Sequence, residues 1–297
     1  MKKIEGLIAA AFSTLNNDHS VNLDVIPALV GKFVKDGLKG VFVCGTNGEG
    51  PNLTLDERMQ VAEAYVKAAK GRLLVMVHVG HTTISEARKL AVHAQTIGAD
   101  AISAVAAFYF KPASTELLVD SLAEIASAAP QLPFYYYHIP AVTGVSVDMI
   151  NFLHLAEPRI PTLAGIKYTA ATLHEYQACL NYKEGKFDIL YGYDELLLSA
   201  LAVGARGAIG STYNFAAPHY YEVMRLFHAG RLEAAQQKQL QLVEMIRAFL
   251  KFSPIPAQKE IMNLCGLNLG PCRLPLGQLS ASDQVTLRES LDAIAFR

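Results

Sequence analysis

Asp36-Gly37-Leu38-Lys39-Gly40-Val41-Phe42-Val43-Cys44 reads as a helix exit feeding a buried strand, with Gly37 ending the helix and an unbroken apolar run after Lys39. Upstream, residues 22–36 carry Val25, Ile26, Leu29, Val30, Phe33 and Val34 at the spacing of one buried helical face. Downstream, Thr54 with Glu57 three residues later forms a capping box that opens a helix running to about Ala69. Strand and helix therefore alternate on both sides of this stretch. The same punctuation returns at Ile97-Gly98-Ala99-Asp100 and Val203-Gly204-Ala205-Arg206.

Carried along the chain, the pattern predicts strands at 6–12, 40–44, 73–79, 101–106, 134–139, 163–169, 189–193 and 207–211. Helices follow at 22–36, 54–69, 85–97, 115–128, 146–155, 173–182, 195–203 and 218–228. Eight βα modules in roughly 225 residues match the count and size of a closed parallel α/β barrel, a (β/α)8 TIM barrel, with an open doubly wound sheet as the fallback. After Gly230 the pattern is wholly helical, at 231–251, 256–265 and 282–294. This divides the chain into a barrel at 1–230 and a C-terminal helical extension at 231–297 that packs outside it.

Composition narrows the partners. The 297 residues are 52% hydrophobic, and 26 basic side chains nearly balance 27 acidic ones without a long run of one sign. With a mean hydropathy of +0.23, the chain can bury a large core and offers neither a nucleic-acid groove nor a polybasic membrane face. A small molecule is the expected partner. The start Met1-Lys2-Lys3-Ile4-Glu5-Gly6 is basic, but its apolar run ends at Phe12, too short for a secretory or spanning segment. Cys44, Cys179, Cys265 and Cys272 show no CxxC spacing, which suits packed thiols in a reducing compartment, and a cytoplasmic location is expected.

In such a barrel the chemistry sits at the C-terminal ends of the strands. Strand six, Leu163-Ala164-Gly165-Ile166-Lys167-Tyr168-Thr169, puts Gly165, Lys167 and Thr169 on one face. A neutral amine on a pocket wall condenses with a carbonyl to give a Schiff base; the plainer alternative is a strand-end lysine reaching to solvent. Strand five puts Tyr135, Tyr137 and Ile139 on one face and Phe134, Tyr136 and His138 on the other. A phenol beside a cationic iminium can shuttle a proton, whereas any one of these tyrosines alone reads equally as core filling. In a barrel, strands five and six are neighbours, so Tyr137 and Lys167 meet if both point inward.

Strand two ends in Gly45-Thr46-Asn47-Gly48-Glu49-Gly50, either a cradle of backbone N–H groups for a carboxylate or an ordinary turn with glycines in left-handed positions. Strand seven ends in Gly192-Tyr193-Asp194-Glu195 and strand eight in Gly210-Ser211-Thr212-Tyr213-Asn214. These carboxylates, hydroxyls and an amide suit a polyhydroxylated ligand, although Asp194 also reads as a helix cap. His78, His81 and His138 raise a metal-dependent aldolase as a rival, without an acidic partner at ligand spacing.

Together these motifs resemble the pyruvate-dependent class I aldolases of the dihydrodipicolinate synthase and N-acetylneuraminate lyase family, over nearly the whole chain. The likeness rests on Gly45-Thr46-Asn47-Gly48-Glu49, on Tyr137-His138-Ile139-Pro140 with Thr143-Gly144, and on Gly165-Ile166-Lys167. It implies that Lys167 forms the imine, Tyr137 transfers the proton and Thr46 joins it in a hydroxyl relay. Tyr109 would reach the relay of a neighbouring subunit in a homotetramer. Substrate contacts fall to Asn47, Thr169, Gly192, Asp194, Glu195 and Ser211. The strand-seven and strand-eight ends look like the lyase branch, which cleaves N-acetylneuraminate reversibly to N-acetylmannosamine and pyruvate without metal or organic cofactor. The synthase branch has an arginine where this chain has Val142. Asn47 replaces the loop's usual second hydroxyl residue, and Ala107 stands where a proline is common.

Overall fold

The computed structural model describes residues 3–294. Met1 and Lys2 of the basic start and the last three residues of the expected extension lie outside the described residues. Eight strands, β1 Gly6–Ala10, β2 Gly40–Val43, β3 Leu74–His78, β4 Ala101–Val105, β5 Phe134–His138, β6 Leu163–Tyr168, β7 Asp188–Tyr191 and β8 Gly207–Gly210, form one closed barrel in sequence order. Every neighbouring pair is parallel, and β1 closes on β8.

Closure follows from strands that are apolar on both faces. Ile8, Phe42, Met76, Tyr135, Leu190 and Ile209 fill the interior, while alternate residues such as Val41, Tyr136, Ile166 and Ile189 pack outward. The helical layer comprises α1 Ile26–Lys35, α2 Leu55–Ala69, α3 Ile84–Thr96, α4 Thr115–Ala126, α5 Pro140–Thr143, α6 Met149–Arg159, α7 Leu173–Asn181, α8 Leu197–Ala202 and α9 Tyr213–His228. Thr54 and Glu57 close both halves of the expected capping box at α2.

Two helix starts differ from the sequence reading. The helix expected at 146 begins at Met149, because the Asp148 side chain accepts from the Asn151 N–H at 2.6 Å and fixes the cap there. The turn before it, α5, is closed by Gly144 at φ 64°. The helix expected from Pro218 begins five residues earlier at Tyr213 and carries that proline inside it. Its first turn is anchored instead by Asn214, whose Nδ2 donates to the carbonyls of Ala10 and Ser211 at 2.9 and 2.7 Å. Tyr213 and Asn214 are thereby buried structural residues rather than strand-end groups.

Three further helices follow, α10 Leu232–Phe249, α11 Pro254–Leu264 and α12 Ala281–Ala293. Helix α10 lies along α9 and reaches α8, and α11 also meets α9. From α11, buried Lys259 pairs with buried Glu49 at 2.7 Å, and the Arg273 guanidinium holds Glu57 at 2.5 and 2.7 Å. These polar ties place the helices over the strand-end side of the barrel.

Candidate active site

One cavity of about 210 Å³ opens among the C-terminal strand ends. Thr46, Asn47, Tyr137, Lys167, Thr169, Gly192, Asp194, Glu195 and Ser211 all line it. Barrel register brings the two reactive candidates together, since Tyr137 pairs directly with Lys167. The Lys167 Nζ lies 3.9 Å from the Tyr137 ring centroid and 4.1 Å from that of Phe42. Lys167 is buried, and no carboxylate among the described residues lies within ion-pair distance of it. Edge-on contacts from Phe42 and His78, at 5.4 and 5.9 Å between centroids, hold the Tyr137 ring. Its hydroxyl stands 3.5 Å from Thr46 Oγ1.

The loop after β2 owes its shape to space rather than to glycine torsions. Its left-handed residues are Cys44 at φ 59° and Glu49 at φ 50°, while a Cβ on Gly50 would come within 2.0 Å of the Cys44 carbonyl oxygen. Non-glycine residues enter this region at a cost of about 1–2 kcal/mol. Glu49 is secured there by Lys259 and by the Arg273 N–H at 3.0 Å. Among the described residues, no acceptor takes the backbone N–H groups of Thr46, Asn47 and Gly48. Three consecutive unpaired amides suit an anion.

At the other side of the cavity, Asp194 does not cap its own helical turn. Its Oδ2 accepts from the Thr212 N–H and hydroxyl, both at 2.7 Å, and from the Ser211 hydroxyl at 3.3 Å. Burial pushes its carboxyl up to about 6, against the Thr212 hydrogen bonds and with a further push from Glu195. Gly210 makes room, because a Cβ there would come within 1.7 Å of Asp194 Oδ1. Gly192 does the same for Thr169, whose Oγ1 would lie 2.0 Å from the added atom. From α10, the Gln239 Nε2 donates to the carbonyls of Asp194 and Glu195 at 3.2 and 3.1 Å, fixing the turn from outside.

The remaining candidates lie elsewhere. Tyr109 is 78% exposed beside Phe110 and does not line the cavity. His138 points out of the barrel against Tyr136 and Tyr168, and burial lowers its imidazole to about 4. His78 is buried within the barrel, held low by burial and then by Arg58 and Lys167. His81 is partly exposed in the loop after β3. Among the described residues no cluster of three or more His, Cys, Asp or Glu could hold a metal ion.

Residues 3–294 match the model of the dihydrodipicolinate synthetase family. The chain belongs to that family. It is 42% identical to the N-acetylneuraminate lyase of Xenopus tropicalis, over 95% of this chain and 93% of that protein. It is 39% identical to the human N-acetylneuraminate lyase, over 99% and 95%. The solved structure of the Aliivibrio salmonicida N-acetylneuraminate lyase, a sialic acid aldolase, superposes with a TM-score of 0.97 at 42% identity, covering 100% of this chain and 99% of that one.

In this member of the dihydrodipicolinate synthetase family, the sequence reading missed the wall that α10 and α11 supply. Ile246, Phe249, Leu250, Pro254 and Gln258 line the cavity beside the strand ends. It also missed the role of Glu49, which ties the loop to α11 instead of facing the cavity. The available signal was Gln258-Lys259 inside an otherwise apolar helix face, the same kind of misfit that marks Lys167.

Proposed function

We propose that this chain catalyses the reversible cleavage of N-acetylneuraminate to N-acetylmannosamine and pyruvate through a Schiff base on Lys167. The observation that carries the reading is a buried lysine without a carboxylate partner, set against Tyr137 in the cavity that also holds Asp194, Glu195 and Ser211. The chain's likeness to N-acetylneuraminate lyases supports the choice of sugar acid.

In this reading the substrate carboxylate sits on the unpaired N–H groups of Thr46, Asn47 and Gly48, and the C2 ketone faces the Lys167 amine. Attack and loss of water give the iminium. Tyr137 then takes the proton of the C4 hydroxyl, the C3–C4 bond breaks, and its electron pair moves to the iminium to leave an enamine. N-acetylmannosamine departs as the aldehyde, C3 is protonated, and hydrolysis frees pyruvate and the amine. Thr46 relays the proton with Tyr137, while Thr169, Gly192, Asp194, Glu195 and Ser211 line the path of the hydroxylated tail. The reaction needs no metal or organic cofactor. We place the enzyme in the cytoplasm as a homotetramer, on the cysteine spacing and on the exposed Tyr109 and Phe110; no helix among the described residues is long and apolar enough to cross a membrane.

Pyruvate with borohydride should add a reduced adduct to Lys167, read by peptide mass spectrometry. A panel of 2-keto sugar acids should release pyruvate best from N-acetylneuraminate. Activity on deoxy sugar acids alone would instead favour a related aldolase, and the absence of any adduct would remove the Schiff-base mechanism. Tyr137→Phe should still trap pyruvate but turn over about 10²- to 10⁴-fold more slowly, the usual worth of positioned acid-base catalysis.

A further inference from the structure

The α10–α11 wall of the cavity is apolar at Ile246, Phe249, Leu250 and Pro254, and Gln258 sets one carboxamide among them. Gln258 is 4% exposed, and its Oε1 is buried with no hydrogen-bond partner. A buried amide without a partner is costly, and an apolar residue would fill the same place without that cost. Lys259, its neighbour, is fully committed to Glu49 and the Pro271 carbonyl, so the tie between α11 and the barrel does not require Gln258. Across the cavity Asp194, Glu195 and Ser211 already offer hydroxyl partners. The α11 side therefore differs in kind, presenting one amide surrounded by carbon.

We infer that Gln258 is a specificity-determining residue that reads the acylamino substituent of the sugar acid. An acylamino group has an amide that both donates and accepts and a methyl that seeks apolar contact. The carboxamide meets the first need, and Phe249 and Leu250 meet the second. A hydroxyl in the same position satisfies only the polar half and leaves the apolar wall against water. This rests on the aldolase reading above and sharpens it by assigning one substituent to one residue.

The test compares N-acetylneuraminate with the analogue bearing a hydroxyl in place of the acetamido group. Wild type should favour the acetamido substrate, and Gln258→Leu should lower the ratio of the two kcat/KM values about tenfold, mainly through KM, as expected for one neutral hydrogen bond. Gln258→Asn, with the amide withdrawn by one methylene, should give an intermediate ratio. An unchanged ratio in Gln258→Leu overturns the inference, as does a wild type that prefers the hydroxyl analogue. The wild-type comparison stands even if a variant does not fold. Pyruvate trapping on Lys167 separates the two levels: adduct without acetamido preference removes the role of Gln258 alone, while no adduct removes the aldolase reading with it.

Discussion

Asp194 carries a cost that its neighbours only partly offset. Three donors from Ser211 and Thr212 converge on Oδ2, yet Oδ1 has no partner and the carboxyl titrates near 6 rather than near 4. Because the folded value is raised, the favourable contribution is present at low pH and disappears as pH climbs from about 4 through about 6. Above that window the ionised group costs about 3 kcal/mol relative to an ordinary carboxylate. Asp194→Asn keeps an acceptor for Thr212 and does not titrate. Urea unfolding at several pH values should show the asparagine variant gaining about 3 kcal/mol on wild type between pH 4 and 6; parallel profiles would refute the assignment. Its turnover should fall in the same experiment series, since a buried carboxylate in a ligand cavity trades stability for recognition.

The ion pair between Lys259 of α11 and Glu49 after β2 links an outer helix to the carboxylate-facing loop across 210 positions of sequence. Both side chains are almost wholly out of water, so removing one partner leaves the other charged and stranded. Lys259→Met should cost about 3–5 kcal/mol in chemical denaturation, far more than an exposed pair such as Arg206–Glu5. Adding Glu49→Gln to Lys259→Met should recover part of that loss, and equal stability of the single and double variants would deny the coupling. The same pair marks where local sequence stops being informative. Strands and helices announce themselves through periodicity, and Thr54-Glu57 through capping chemistry, because those signals act between near neighbours. Glu49 reads locally as part of a turn, and nothing near it in sequence points to Lys259. The start of α9 was hidden for a related reason: Pro218 looks like a helix entry until Asn214 is seen bonded to β1.

At the scale of the molecule, strand counting was enough to place Tyr137 beside Lys167, since a closed parallel order leaves their register little freedom. The helices beyond Gly230 gave no such constraint, and their part in the cavity wall emerges only from tertiary packing. One feature of the surface asks for a partner of the same kind. Phe108, Tyr109 and Phe110 follow β4 in a row, with Tyr109 78% and Phe110 86% exposed and their rings edge to edge at 5.0 Å. Two adjacent aromatic side chains held in water lose the stabilisation that burial gives them, and a neighbouring subunit would restore it. If the homotetramer proposal is right, sedimentation should give four times the 32.2 kDa chain mass. Tyr109→Phe separates packing from chemistry: the ring remains for assembly while the relay hydroxyl is gone. That variant should keep the tetramer mass and still trap pyruvate on Lys167, with turnover lowered by up to about 10²-fold, the lower end of what a positioned proton donor contributes. A fully active monomer would exclude both the assembly and the relay, whereas a tetramer with unaltered turnover would leave Tyr109 a packing residue alone.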